Sequence, residues 1–149
     1  MIDYRLLRAG ETDAAARQHR VAGALIPGFD PSRHTLEETC DFYRRVFANG
    51  PIWGAFDGGR LIGHMALEPG WVEHLYVEPD RHGEGIGRAL LAIAMREQDD
   101  LQLYTYAANA QARRLYDAAG FTVEEHGFDP EHADRLPNVR YRWQRGVNP

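Results

Sequence analysis

A chain of 149 residues that is 44% hydrophobic and 26% charged has the length of one domain, residues 1–149, and enough apolar content to bury a real core. Its net charge of −5 argues against a dedicated nucleic-acid binder, which needs a basic surface for phosphates, and mildly favours a cationic ligand. No apolar run approaches the about 18 residues of a membrane span, the start of the chain does not read as a leader, and one cysteine, Cys40, permits neither an internal disulfide nor a cysteine-based zinc site, so a cytoplasmic protein without membrane contact is expected.

The alternating run Ile2 to Leu7 predicts a strand, and Glu11 to Ala22 and Thr35 to Ala48 predict helices. Between the helices, GALIPGFDPSRH has too many prolines and glycines for regular structure and is long enough to be functional. PIWGAF and RLIGHMAL flank Asp57-Gly58-Gly59, a hairpin turn because its residues tolerate positive φ. WVEHLYV, residues 71–77, is an aromatic-rich strand that runs directly into a glycine cluster. A helix over about Gly85 to Gln98, a strand LQLYTY and a second helix with Asn109 as N-cap and Gly120 as C-terminal stop come next. FTVEEHG and NVRYRWQR are the last two strands, joined by the polar loop FDPEHADRLP. The order is that of one mixed α/β domain, hairpins first and crossover helices later.

Gly83, Gly85 and Gly87 stand immediately before an apolar helical run. A strand, a glycine loop and a helix start aim several free N–H groups and the helix N-terminus at one point, which is an anion site. A dinucleotide fingerprint beginning at Gly83 needs a glycine where Arg88 stands, and a nucleoside-triphosphate loop needs Gly-Lys-Ser/Thr, which is absent. A tight turn for close helix packing is the plain structural alternative.

HLYVEPDRHGEGIGRALL resembles the pyrophosphate-loop motif of the GCN5-related N-acetyltransferases, the GNAT superfamily, and NAQARRLYDAAGF resembles that family's second cofactor motif. The motif matches span roughly residues 55 to 121. The resemblance implies a GNAT fold: a mixed, mostly antiparallel sheet of six to seven strands, flanked by about four helices and splayed between the fourth and fifth strands. It implies acetyl-CoA as acyl donor and direct attack by a primary amine in a ternary complex. Cofactor contacts would then fall on Leu75, Tyr76 and Val77 of the strand, on His82, Gly83, Glu84, Gly85, Ile86, Gly87 and Arg88 of the loop and helix start, and on Asn109 and Ala112. His82 departs from the pattern, which usually has Gln or Arg there. Many relatives pair, so a homodimer is compatible with the resemblance, although no residue of this sequence marks an interface.

In that chemistry the departing thiolate benefits from a proton, and Tyr116, a phenol protonated at neutral pH, matches the family's acid. An ammonium acceptor must also lose a proton, and Glu73 is the expected base, with His64 and Glu68 on the preceding strand as alternatives. Strand alternation puts His74 on the face opposite Glu73. His74, His34 and Glu37 are the expected acceptor contacts, although Thr35 and Glu38 also read as a capping box. Asp129, Glu131 and His132 in the tail loop would close the other side. The seven histidines lack metal-site spacing, and the one serine, Ser32, is not on a nucleophile elbow. A small-molecule amine acceptor is expected; the rival reading is a non-catalytic acyl-CoA sensor.

Overall fold

The computed structural model describes residues 1–127 and 136–147, so Asp129, Glu131 and His132 lie outside the described residues. The elements run β1 (Ile2–Leu6), α1 (Thr12–Gly23), α2 (Leu36–Asn49), β2 (Ile52–Asp57), β3 (Arg60–Glu68), β4 (Trp71–Val77), α3 (Ile86–Glu97), β5 (Asp100–Tyr106), α4 (Ala110–Ala118), β6 (Thr122–Gly127) and β7 (Asn138–Gln144). They form a seven-stranded sheet in the order β1-β2-β3-β4-β5-β7-β6, with every pairing antiparallel except β4 with β5. Among the described residues no helix is long and apolar enough to cross a membrane.

Each sheet face is covered by two helices. Ala15, Ala16, Cys40 and Tyr43 of α1 and α2 pack on Ile52, Phe56, Leu61 and Ala66, while Leu90, Leu91, Ile93 and Tyr116 of α3 and α4 pack on Ile62, Met65, Leu101 and Tyr141. Strand β3, covered on both faces, is buried over seven consecutive residues from Leu61 to Leu67; that is why RLIGHMAL is a near-continuous apolar run rather than an alternating one.

Two local features of β4 open the sheet and set the direction of its side chains. The strand meets β5 at a single register pair, Trp71 with Gln102, where Gln102 N–H donates to Gly70 O at 2.8 Å. Gln98 ties the same turn down, accepting from Gly70 N–H at 2.6 Å and donating to Glu68 O at 3.0 Å. Beyond that point the strands diverge. Opposite β3, Ala66 faces His74 and Leu67 faces Val72, so Glu73 is an extra residue, a β-bulge that breaks the side-chain alternation expected from sequence.

Candidate active site

The divergence of β4 and β5 opens a cleft of about 490 Å³ between α3 and α4. At its floor the glycine loop divides into two kinds of glycine. Gly83 and Gly85 take φ of +85° and +81°, and nothing lies within 4 Å of the position a Cβ would occupy on either; they are needed for backbone shape and face open space. Gly87 is different. A Cβ there would stand 3.2 Å from Leu115 and 3.6 Å from Val77, so this glycine lets α3 approach α4 and β4.

Among the described residues, no acceptor takes an N–H from Gly83 to Arg88. Five of these residues, Gly83, Gly85, Ile86, Gly87 and Arg88, line the cleft, three of them in the first turn of α3, where the positive end of the helix dipole adds to the free donors. The surrounding charges favour an anion as well. Arg81 and Arg88 line the cleft and Glu84 does not; the Arg81 guanidinium is held by the Glu84 and Asp57 carboxylates, each at 2.9 Å. His82 does not reach outward in place of the family's Gln or Arg: its Nε2 is bound to Val77 O at 3.0 Å, which fastens the loop to the end of β4.

Glu78 N–H donates to Ile62 O at 2.9 Å. By antiparallel alternation the Tyr76 backbone also faces β3, which leaves the main-chain groups of Leu75 and Val77 on the gap where β5 has departed. Leu75 N–H is thus a strand-edge donor in the middle of the cleft. Val77 O is taken by His82.

Asn109 caps α4 by accepting from Ala112 N–H at 3.2 Å. Both line the cleft, as do Ile86 and Tyr116. Tyr116 is only 5% exposed, and burial, followed by the neighbouring Tyr76 and Tyr141, raises its phenol well above the usual value. Its hydroxyl has no hydrogen-bond partner among the described residues, yet none of their side-chain polar atoms is both sealed and unpaired. The hydroxyl therefore opens onto the cleft as a protonated donor.

A second cavity of about 610 Å³ adjoins the first and shares Leu75, Tyr76 and Tyr116 with it. Glu73, His74, His19, Phe29, Tyr104 and Tyr106 line it, together with Glu125. No arginine is among the described lining residues, and two carboxylates are, which suits a cationic guest. Burial first, then the adjacent Glu68, raises the Glu73 carboxyl to about 7. Because of the bulge, Glu73 and His74 reach the same cavity, a correction to their expected placement on opposite faces.

His34 and Glu37 line neither cavity. The reason is the capping box: Thr35 Oγ1 accepts from Glu38 N–H at 3.1 Å and Glu38 Oε1 from Thr35 N–H at 2.8 Å, which starts α2 and leaves His34 and Glu37 exposed. The first half of that loop does reach the cleft, through Ile26. His64 is fully buried, with both ring nitrogens engaged, at 2.8 Å from Tyr43 Oη and 2.8 Å from Gln18 Oε1, so it cannot touch an acceptor. His19 lines the second cavity and Gln18 is buried behind it against His64, and the sequence motifs mark neither. The available signal was two polar side chains on the inward stripe of an amphipathic helix.

The arrangement agrees with comparisons to known proteins. The peptidyl-lysine N-acetyltransferase YiaC of Escherichia coli is 28% identical over 97 residues, covering 64% of this chain and 65% of that protein. A mycothiol acetyltransferase of Acidothermus cellulolyticus is 34% identical over 102 residues, covering 62% of this chain and 31% of that protein. Each match spans less than two thirds of the relative's own length. The solved structure of YncA from Salmonella typhimurium, with its cofactor acetyl-CoA, superposes with a TM-score of 0.75 at 18% identity, covering 100% of this chain and 96% of that one, a likeness of fold. Residues 48–123 match the acetyltransferase (GNAT) domain, just over half of the sequence, and the chain belongs to that family.

Proposed function

We propose that this protein transfers the acetyl group of acetyl-CoA to the primary amine of a cationic small molecule. The observation that carries the reading is the meeting of two cavities at Leu75 and Tyr116, one lined by five residues of the glycine loop and helix start whose N–H groups are free among the described residues, the other holding carboxylates. The donor fits the first: a pyrophosphate needs convergent donors on a backbone bare enough to approach, and Gly83 to Arg88 offer that. Bound acetyl-CoA would supply an activated acyl carbon and a thiolate leaving group.

The chain's own groups divide the remaining work. Leu75 N–H polarises the acyl oxygen, and one such donor is worth about 3 kcal/mol of barrier. Tyr116 gives its proton to the departing sulfur. Glu73, with its raised carboxyl on the bulge, draws in the ammonium and takes a proton from it. Phe29, Tyr76 and Tyr106 wall in the apolar stem of the amine. A second reading, a protein lysine as acceptor, is favoured by the relative named as a peptidyl-lysine acetyltransferase.

Two measurements test this. Calorimetric titration with acetyl-CoA should give micromolar binding to the wild type and none to folded Gly85→Glu, which places bulk and negative charge in the cradle. Thiol release should then be measured with cadaverine, spermidine and a lysine peptide. All 17 basic residues of the chain are arginines, so acetyl-lysine can arise only on the added peptide. Binding without thiol release for any amine would make the protein an acyl-CoA sensor, and faster turnover of the peptide would select the second reading.

A further inference from the structure

A buried string of hydrogen bonds runs from the end of β4 to the acceptor cavity and determines the protonation of each member. Gln18 Nε2 donates to Leu61 O and to Glu78 Oε1, each at 3.2 Å. Both partners only accept, so the Gln18 amide has one orientation, and its Oε1 must accept from His64 Nδ1 at 2.8 Å. Full burial keeps His64 neutral, its basicity pushed well below the usual value. With the proton on Nδ1, His64 Nε2 is an acceptor, and Tyr43 Oη donates to it at 2.8 Å. The Tyr43 proton is thereby committed, so Tyr43 Oη must accept from His19 Nδ1 at 2.8 Å. In a neutral imidazole one nitrogen carries the proton and the other a free lone pair; here the free one is His19 Nε2, assigned from the network.

That nitrogen has no partner among the described residues and is not sealed from solvent, and His19 lines the acceptor cavity. Its ring packs against Tyr43 of α2 at 5.5 Å and against Tyr76 and His74 of β4 at 4.5 and 5.8 Å between centroids. Tyr76 directly succeeds Leu75, whose N–H faces the acyl site. We infer that His19 Nε2 takes a proton from the acceptor nitrogen as the C–N bond forms, with Tyr43, His64 and Gln18 as positioning residues that hold its lone pair free. This rests on the acetyl-transfer reading.

The proton count calls for such a group. An alkylammonium carries three hydrogens on nitrogen and the amide product one. Glu73 takes the first at the cavity mouth and His19 the second during attack. The C–S bond breaks with its electron pair on sulfur, which takes the Tyr116 proton; one nitrogen proton restores Tyr116 and the other leaves to solvent. Burial first, then His74, Arg20 and His34, lower the His19 imidazole to about 3. It is therefore unprotonated at neutral pH, and as a weak base it can take the proton only from a nitrogen that is already bonding to the acyl carbon and has become more acidic than the free ammonium.

Two experiments on the intact protein test this. Histidine ring ¹⁵N spectra of the free protein should show His19 and His64 as neutral Nδ1–H tautomers at pH 7; an Nε2–H tautomer for His19 overturns the inference. With cadaverine and Nα-acetyl-L-lysine amide as acceptors, His19→Gln should lower kcat about 100-fold with the acetyl-CoA Kd unchanged. Tyr43→Phe should lower kcat about tenfold and abolish the His19 tautomer preference in the same spectra, which a packing role would not do. Undiminished kcat in His19→Gln overturns the role of His19 alone. If the wild type binds acetyl-CoA but acetylates neither amine, the acetyl-transfer reading fails and this inference with it.

Discussion

Leu115 Cδ2 stands 3.2 Å from where a Cβ on Gly87 would lie, while the same position on Gly85, two residues earlier, is empty. The two glycines therefore respond differently to alanine. At Gly85, with φ of +81°, a Cβ costs about 1–2 kcal/mol in left-handed backbone with nothing to offset it. At Gly87 the helix gains about 1 kcal/mol of propensity, and only the mobile tip of Leu115 must give way. Urea unfolding should place Gly85→Ala about 2–3 kcal/mol below Gly87→Ala. The reverse order would mean that the α3–α4 contact, not the loop backbone, limits stability.

Tyr116→Phe removes a protonated hydroxyl at the junction of the two cavities. If that proton goes to sulfur, kcat should fall roughly ten- to a thousandfold, with acetyl-CoA affinity unchanged because the ring packing against Phe121 and Tyr141 remains. Burst and steady-state thiol release would measure it. Unchanged turnover would reduce Tyr116 to a core aromatic.

Much of the fold was legible in the sequence because local signals coincide with tertiary roles. Asp57-Gly58-Gly59, Asn109 and Gly120 punctuate the chain where the turns and caps occur, with positive φ at Gly58, Gly59 and Gly120, and the strand and helix ends fall within one or two residues of expectation. What escaped was non-local. The bulge at Glu73 arises from register against β3, which no pattern within WVEHLYV reveals. The Gln18–His64–Tyr43–His19 string joins residues from three elements up to 46 positions apart. His34 and Glu37 stand outside both cavities, which the sequence could not tell because a capping box and a substrate contact use the same residue types at a loop end.

Glu73 offers a pH test. In the proposed mechanism its carboxyl, raised to about 7, accepts a proton only when ionised, so wild-type kcat/KM for an amine should decline as pH falls through 7. In Glu73→Gln that limb should vanish, leaving a lower profile governed by the amine's own ionisation. A limb near pH 7 that survives the substitution would assign it to another group.

The three clustered histidines tie stability itself to pH. Burial holds His19 at about 3 and His74 at about 4, and keeps His64 well below the ordinary value. In the unfolded chain each titrates near 6.5. As pH falls through 6.5 the unfolded state binds protons that the folded state refuses, so the stability present above 6.5 is lost progressively on acidification. Each histidine that stays neutral contributes a slope of about 1.4 kcal/mol per pH unit below 6. Glu73 acts in the opposite sense between its unfolded value and 7, but it is exposed and screened, so its effect is smaller. Urea unfolding at pH 7.5, 6 and 5 should therefore show a steep fall in stability from 6 to 5, more than one proton's worth. His64→Gln should flatten that decline by about one proton. A profile unchanged between pH 7 and 5 would show that these histidines accept protons in the folded state, and would remove the basis for a neutral His19.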